Sequence, residues 1–146
     1  MAEATSGAEA GAAAVGRITV GDFSEDFPMD LSYWSADDYR ESWMRTLLRV
    51  EAARDEVDSY LVTSITDPAT ANFVFGWPLH RRGTDVYVQN SVIFLGELAE
   101  EFRPAQPWRS VQPRGTVDED GNEISEWRTT LGAVRAFLAK VRPAGR

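Results

Sequence analysis

The sequence predicts an α+β fold with a mainly antiparallel sheet, made of a meander and a later hairpin, and packed by a long helix in the N-terminal half and a C-terminal helix. Three observations carry this prediction. A capping signal opens one amphipathic stretch early in the chain, three strand-like runs follow one another in the middle, and a second amphipathic stretch closes the chain. Because the strand-like runs do not alternate with helices, we expect neighbouring strands to pair antiparallel.

The first sixteen residues consist almost entirely of Ala, Gly, Glu, Ser and Thr. Such a segment has little apolar side chain with which to offset the entropy lost on ordering. We therefore expect a disordered tail over residues 1–16 and a single α+β domain over residues 17–146. A short helix is the alternative for the tail, because alanine is the best helix former, although isolated helices of this length are marginal in water.

A first strand is predicted directly after the tail. Ile18, Val20 and Phe23 alternate with polar residues, which is typical of a strand with one buried face. We expect this strand to lie at a sheet edge. Residues 24–30, which contain Pro28, are predicted to form the turn region that ends it.

The strongest local signal is the Ser-x-x-Asp capping pattern that begins at Ser35. It predicts a helix that runs to about Ala53. At about 100° per residue, the aromatic and aliphatic side chains of this stretch share one face, which should pack on a sheet. That face is formed by Tyr39, Trp43, Leu47 and Val50. Trp34 precedes the cap and can act as a hydrophobic staple against Tyr39.

Three runs rich in β-branched and aromatic residues predict the strands of an antiparallel meander. These runs cover residues 57–65, 72–79 and 85–94. Gly83, in the connection between the second and third runs, supplies the positive φ that a tight hairpin needs. Gly76 and Pro78 indicate an edge or a bulge in the middle run.

The last third of the chain is predicted to hold one helical turn at 97–102, a hairpin and a helix. Residues 115–117 and 123–127 flank Asp118–Asn122, which contains an Asp-Gly dipeptide, one of the best turn formers. The helix is predicted over residues 130–141 because its apolar residues share one face. They are Leu131, Val134, Phe137, Leu138 and Val141.

Composition and charge exclude several classes of protein. Fifteen basic and 23 acidic residues give a formal net charge of −8, which argues against a protein that grips nucleic-acid phosphates. The absence of cysteine excludes disulfides, iron–sulfur clusters and a thiol nucleophile. No apolar run is long enough to span a membrane, and Glu3 and Glu9 stand where a signal peptide would be basic. A cytoplasmic location is the prediction.

Catalytic and metal-binding patterns are incomplete. His80 is the only histidine, and no Gly-x-Ser-x-Gly turn accompanies it. Asp118–Asn122 superficially resembles the start of a calcium-binding loop, but Glu123 replaces the required glycine and Thr129 replaces the required glutamate. We therefore predict no catalytic residue, no metal site, no cofactor and no enzymatic activity.

The remaining signal is the distribution of acidic and aromatic residues. An acidic cluster surrounds the predicted hairpin, and it is typical either of a soluble surface or of a surface that docks a basic protein such as a nuclease. We take the second interpretation, with Trp77 as an aromatic anchor, although a core position is the alternative for Trp77. The predicted partner-binding residues are Asp118, Glu119, Asp120, Glu123, Glu126 and Trp77.

Three stretches of the chain carry a resemblance to a known family. They are Asp30–Ser35 with Asp38, Tyr39 and Trp43; Ser64–Pro68 leading into Asn72–Leu79 and Val86–Asn90; and Asp120–Trp127. In these residues the sequence resembles the immunity proteins of bacterial contact-dependent growth inhibition, over roughly residues 17–141. The resemblance implies a small cytoplasmic α/β protein that binds the toxic C-terminal domain of a delivered effector and blocks it without catalysis. It assigns no toxin-contact residue.

The sequence thus predicts a toxin-neutralising immunity protein whose partner is a cognate toxin domain, with no nucleic-acid or membrane partner. The alternative is a small-molecule-binding or small enzymatic α+β domain. Its pocket would lie between sheet and helices, with Trp77, His80 and Arg81 at the rim. The oligomeric state is left open.

Overall fold

The structure is a computed structural model that describes residues 1–5, 13–118 and 120–141. Two antiparallel sheets and two α-helices make up its regular elements, which confirms the α+β class. In chain order they are β1 (Ala2–Thr5), β2 (Ala13–Val20), β3 (Phe23–Asp30), α1 (Ala36–Ala52), β4 (Glu56–Ser64), β5 (Phe73–Arg82), β6 (Asp85–Gln89), β7 (Ser91–Phe94), β8 (Glu126–Thr130) and α2 (Leu131–Val141). Short 3₁₀ helices follow β7 at Leu95–Glu97 and lie at Pro107–Ser110.

The smaller sheet has the order β1-β2-β3 and begins within the segment that was predicted to be a disordered tail. β1 pairs antiparallel with β2, so that Ala2 lies opposite Ile18. Alanine has a weak intrinsic preference for strands, but pairing and the burial of Ala2 and Ala14 override it here. β2 is consequently the central strand of this sheet and not the predicted edge. Residues 6–12 of the predicted tail lie outside the described residues.

Residues 24–30 form most of strand β3 and not the predicted turn. The actual turn is the two-residue connection between Val20 and Phe23, where Gly21 has a φ of 59°, as the first central position of a type II′ turn requires. Pro28 and the acidic residues before it gave the misleading turn signal. Both are tolerated because, in the described part of the chain, β3 pairs only with β2 and is an edge strand.

The larger sheet has the order β4-β5-β6-β8, with β7 also paired to β5, and it confirms the predicted meander. β6 and β7 are the third predicted run, interrupted at Asn90. The expected irregularity is in β4, whose register against β5 shifts between Val62 and Ser64. β5 is an inner strand and not an edge, and it accommodates Pro78 because this residue lies opposite the break between β6 and β7.

The predicted hairpin over residues 115–127 is reduced to one bridge between Val117 and Glu123. Beyond it the chain joins the large sheet, where β8 pairs with β6 and places Glu126 opposite Gln89 and Trp127 opposite Val88. The prediction was therefore correct for the turn and wrong for the second hairpin strand. Residues 126 and 127 pair with β6 of the large sheet and not with residues 115–117.

Helix α1 begins at the predicted capping box. The Ser35 hydroxyl accepts from the Asp38 amide at 3.1 Å, and the Asp38 carboxylate accepts from the Ser35 amide at 2.9 Å. Trp34 contacts Tyr39 edge-on at 5.2 Å between ring centroids, as expected of a staple. The helix packs on β4, where Trp43 Nε1 donates to the Val62 carbonyl at 2.6 Å. The predicted apolar face of α1 is buried.

Tyr39 joins the two sheets through one buried hydroxyl. Its Oη donates to the carbonyl of Asp30 at the end of β3, at 2.6 Å, and accepts from the amide of Ile65 just after β4, at 3.0 Å. Burial raises the pKa of the Tyr39 phenol to about 12. The hydroxyl therefore stays protonated and keeps both bonds at all physiological pH values.

Candidate partner-binding surface

The acidic loop, residues 117–123, projects between β8 and the preceding irregular segment. Its base is closed by the Val117–Glu123 bridge, and its turn is organised by Asp118, whose Oδ1 accepts from the amides of Asp120 and Asn122 at 2.9 Å each. These local bonds order the turn in the described part of the loop. The side chain of Asp118 therefore has a structural role as well as a negative charge.

The acidic loop carries negative charge that is not compensated locally. Asp118, Asp120 and Glu123 are exposed, and none of them forms an ion pair within residues 1–5, 13–118 and 120–141. Glu119, also predicted to bind a partner, lies outside the described residues. The described charges confer a negative potential on this end of the molecule.

Glu126 differs from the other predicted acidic residues because its charge is neutralised within the protein. It lies in β8, and its carboxylate forms a bidentate pair with Arg114 at 2.7 and 2.8 Å and accepts from Gln89 Nε2 at 2.8 Å. The hydrogen bond from Arg114 is the largest of the effects that lower the pKa of Glu126 below its usual range. We conclude that Glu126 anchors the surface and contributes little free charge to it.

The same anchor holds the chain that leads into the acidic loop. The guanidinium of Arg114 lies 3.9 Å from the centre of the Tyr87 ring, and Gln89 Nε2 also donates to the carbonyl of Gly115 at 2.7 Å. Tyr87 and Gln89 both belong to β6. The irregular segment is thereby fixed to the large sheet just before it turns into the loop.

A groove of about 520 Å³ lies beside the acidic loop. It is lined by Thr116, Glu123, Ile124, Ser125, Glu126 and Trp127. Trp127 is supported from behind, since its ring stacks on Phe23 at 4.1 Å and lies 5.3 Å from Trp77. The groove is therefore bounded by β8 and the segment before it, with the acidic Glu123 on one side and a fixed Trp127 beneath the strand.

Trp77 is not a surface anchor, which corrects the prediction. Its side chain is only 2% exposed, because β5 is an inner strand and position 77 faces the core between Phe23 and Trp127. The proline that follows it in sequence suggested a surface position, but Pro78 lies within the sheet. Trp77 acts on this surface only by supporting Trp127.

The alternative pocket rim of Trp77, His80 and Arg81 is also wrong, because all three side chains are buried. His80 Nδ1 lies 2.7 Å from Asp58 Oδ1, and Arg82 also contacts that oxygen at 3.0 Å. Burial raises the pKa of Asp58, but the hydrogen bonds from His80 and Arg82 outweigh it and leave the pKa below its usual range. These groups form a structural network beneath the surface.

Arg81 is used to cap helix α1. Its Nη1 donates to the carbonyls of Val50 and Ala53 at 2.9 and 2.6 Å, and its Nε donates to the carbonyl of Gly83 at 2.7 Å. A cation at this position satisfies the last carbonyls of the helix and interacts favourably with its dipole. No group of three or more His, Cys, Asp or Glu side chains suited to a metal occurs in the described residues.

An aromatic patch that the sequence analysis did not identify lies on the large sheet. Phe73, Phe75 and Phe94 are 40%, 43% and 53% exposed, and Phe73 contacts both others at 4.9 and 6.5 Å between ring centroids. We name these three residues the aromatic patch. The sequence signal that could have indicated this patch is the spacing of Phe73 and Phe75, since residues two apart in a strand face the same side.

An exposed aromatic patch and a locally uncompensated acidic loop, both on a well-packed α+β framework, define a protein-binding domain. The chain matches the family model of the CdiI N-terminal domain over residues 29–137. It belongs to the CdiI family of contact-dependent growth inhibition immunity proteins, which confirms the resemblance seen in the sequence.

Two individual proteins support this membership. The chain is 39% identical over 120 residues to the immunity protein CdiI of Enterobacter cloacae subsp. cloacae. This alignment covers 82% of this chain and 81% of that relative. It also resembles a chain of a solved CdiA-CT/CdiI toxin and immunity complex from Enterobacter cloacae, with a TM-score of 0.77, 36% identity, and coverage of 88% of this chain and 86% of the other. No helix in the described part of this chain is long and apolar enough to cross a membrane.

Proposed function

We propose that this chain is an immunity protein that binds the toxic C-terminal domain of its cognate delivered toxin and neutralises it. The observation that carries the proposal is the likeness, in both fold and sequence, to a chain from a solved toxin and immunity complex. Inhibition of this kind needs a stable interface of roughly 1,200 to 2,000 Å² and no chemistry from the inhibitor. We therefore assign the chain a non-catalytic role.

Charge supports a basic partner. The net charge of −8 and the exposed acidic loop favour fast association with a positively charged surface. A nuclease toxin meets this requirement, because its active site must hold nucleic-acid phosphates. The place of action would then be the cytoplasm, where such a toxin finds its substrate.

Within this proposal fewer residues contact the partner than the sequence predicted. Asp118, Asp120 and Glu123 are exposed and unpaired in the described part of the chain, and Glu119 lies between them in sequence. Glu126 serves to anchor the loop, and Trp77 supports Trp127 from the core. The proposed contact surface is thus the acidic loop with the groove beside it.

Co-expression with the cognate toxin domain, which we expect to be encoded immediately upstream, tests the function. We expect the toxin domain alone to stop growth and this chain to restore it, with a 1:1 complex recovered by size-exclusion chromatography. A matched control is co-expression of the same toxin with an immunity protein from an unrelated system. Growth arrest that persists when this chain is present in soluble excess would contradict the proposal.

The double variant Asp120→Lys/Glu123→Lys tests the acidic loop, and it leaves the Asp118 turn intact. We expect the dissociation constant for the toxin domain to rise about 10-fold or more, mainly through a slower association rate, since charge steers the encounter. Stopped-flow or biolayer measurements at low and high salt would show this difference shrinking as salt rises.

The control for the acidic loop is Glu41→Lys/Glu56→Lys, two exposed positions on α1 and at the start of β4. It changes the net charge by the same amount at a distance from the loop. Equal losses of affinity in the two double variants would show that only overall charge matters and would remove the acidic loop from the proposal.

A further inference from the structure

Strand β7 has an unpaired edge. It pairs with β5 on one side, and in the described part of the chain no strand pairs with its other side. The Leu95 amide donates to the Asn72 carbonyl at 2.9 Å, which sets the alternation of the antiparallel ladder. It follows that the backbone N–H and C=O groups of Ile93 point towards β5, whereas those of Val92 and Phe94 point to the open side.

The open edge exists because the chain leaves the sheet before β8. β8 pairs with β6 as far as Glu126 opposite Gln89, and continuing this register would bring Ile124 and Glu123 alongside Ser91 and Val92 of β7. Instead, the Ile124 amide donates to the Thr116 carbonyl at 2.9 Å, and Glu123 is bridged to Val117. Among residues 1–5, 13–118 and 120–141, no strand therefore occupies the position beside β7 in line with β8, and the acidic loop lies at the β8 end of that position.

The aromatic patch lies on the same two strands as this edge. Phe73 of β5 is directly opposite Phe94 of β7, and Phe75 is opposite Val92. Proteins usually protect an open edge with charges, bulges or a covering loop, because exposed backbone groups beside apolar side chains invite another strand. Here the edge and the exposed rings occur together, which is typical of a site for strand addition.

We propose that an extended segment of the cognate toxin domain adds to β7 as a strand, in line with β8. Its backbone would pair with Val92 and Phe94, its apolar side chains would cover the aromatic patch, and its basic side chains would lie towards the acidic loop. The inference rests on the proposed function and names the surface and the kind of segment through which the toxin is held.

Charge decides between the toxin and a second copy of this chain as the occupant. Pairing two β7 edges would place two chains of net charge −8 side by side, each with its own acidic loop. Like charges at an interface disfavour association, whereas a basic segment gains from the same loop. The occupant is therefore a basic, extended segment of another protein.

Two substitutions test the proposal by different routes. Val92→Pro removes the outward N–H and leaves the ladder to β5 intact, since proline is tolerated at an edge strand when the missing donor faces solvent. Phe94→Thr removes a ring and keeps a residue that favours strands. We expect each to raise the dissociation constant for the upstream-encoded toxin domain about 10-fold or more.

The matched control is Tyr33→Thr, which removes an aromatic ring that is 42% exposed and lies outside the aromatic patch. We expect its affinity to stay within about twofold of the wild type, because most surface aromatic contacts outside a hot spot contribute little. Circular dichroism melting of all three variants shows whether each is folded when affinity is measured.

Hydrogen–deuterium exchange of the wild-type complex gives an independent readout. We expect the amides of Val92 and Phe94 to become protected when the toxin domain binds, and unchanged exchange at both amides would overturn strand addition. Strand addition would also be overturned if both folded variants bound the toxin within twofold of the wild-type affinity. That result would not affect the proposed function. A wild-type dimer that toxin does not dissociate would assign the edge to self-association, and a wild-type chain that does not bind the toxin would remove both proposals.

Discussion

Gly76→Ala is expected to lower the free energy of unfolding by about 3 kcal/mol. A Cβ added at position 76 would lie 2.5 Å from the Leu61 carbonyl oxygen and 2.5 Å from the ring of Tyr60. Both groups belong to β4 and are fully buried, so neither can move without disturbing the ladder between β4 and β5. Urea denaturation followed by tryptophan fluorescence measures the loss.

Gly96→Ala is the matched control for this prediction. Apart from its two chain neighbours, no described residue has a heavy atom within 4 Å of a Cβ built there, so the change should alter stability by less than about 0.5 kcal/mol. A urea midpoint for Gly76→Ala equal to that of Gly96→Ala would show that the contact between β4 and β5 is looser than described.

Arg81→Met is expected to lower the free energy of unfolding by roughly 2 to 4 kcal/mol. Methionine keeps much of the side-chain volume but leaves the carbonyls of Val50, Ala53 and Gly83 without their donor. Buried acceptors lose their compensation for desolvation, and the C-terminus of α1 loses its cation. Thermal or urea denaturation measures the effect.

Two further variants separate the causes at Arg81. Arg81→Lys keeps the charge but not the fork of donors, so it should recover only part of the lost stability. Arg128→Met removes an exposed arginine whose nearest acidic partner, Asp85, is 3.9 Å away, and it should have almost no effect. Wild-type stability in Arg81→Met would contradict the capping role.

The parts of the fold that were predictable rest on local signals. The capping box at Ser35 and the helical phase of Tyr39, Trp43 and Leu47 were sufficient for α1, because both patterns arise within a few turns of chain. The meander was predictable for the same reason, since Gly83 in the turn between β5 and β6 has a φ of 65°. Local consistency of this kind is what makes such elements readable from sequence.

The smaller sheet was not predictable because its strands depend on tertiary pairing. Residues 2–5 and 13–16 are rich in alanine and glycine, which do not favour strands, and they become ordered only against one another and β3. Pro28 lies in a true strand because the edge of β3 does not need its N–H. In the sequence, Pro28 fits an edge strand as well as a turn, and only the pairing of β3 with β2 decides between the two.

The candidate surface was predicted in part. The Asp-Gly turn located the acidic loop, but the pairing of Glu126 with Arg114 could not be foreseen, since the described part of the segment between them holds a single β-bridge and no periodic pattern. The burial of Trp77 depends on strand order, and so does the exposure of Phe73 and Phe75 on the same strand. The alternation of apolar and polar residues indicates which side chains share a face of the strand. It does not indicate over what length other elements pack on that face.

The hydroxyl of Tyr39 makes the two sheets energetically interdependent. It bonds the last residue of β3 and the first residue after β4, and it sits on the first turns of the helix between them. Unfolding either sheet would leave the same buried oxygen short of a partner and so weaken the other sheet. The N-terminal strands are therefore a cooperative part of the immunity protein, and truncating them would change the platform on which β7 and the acidic loop are presented.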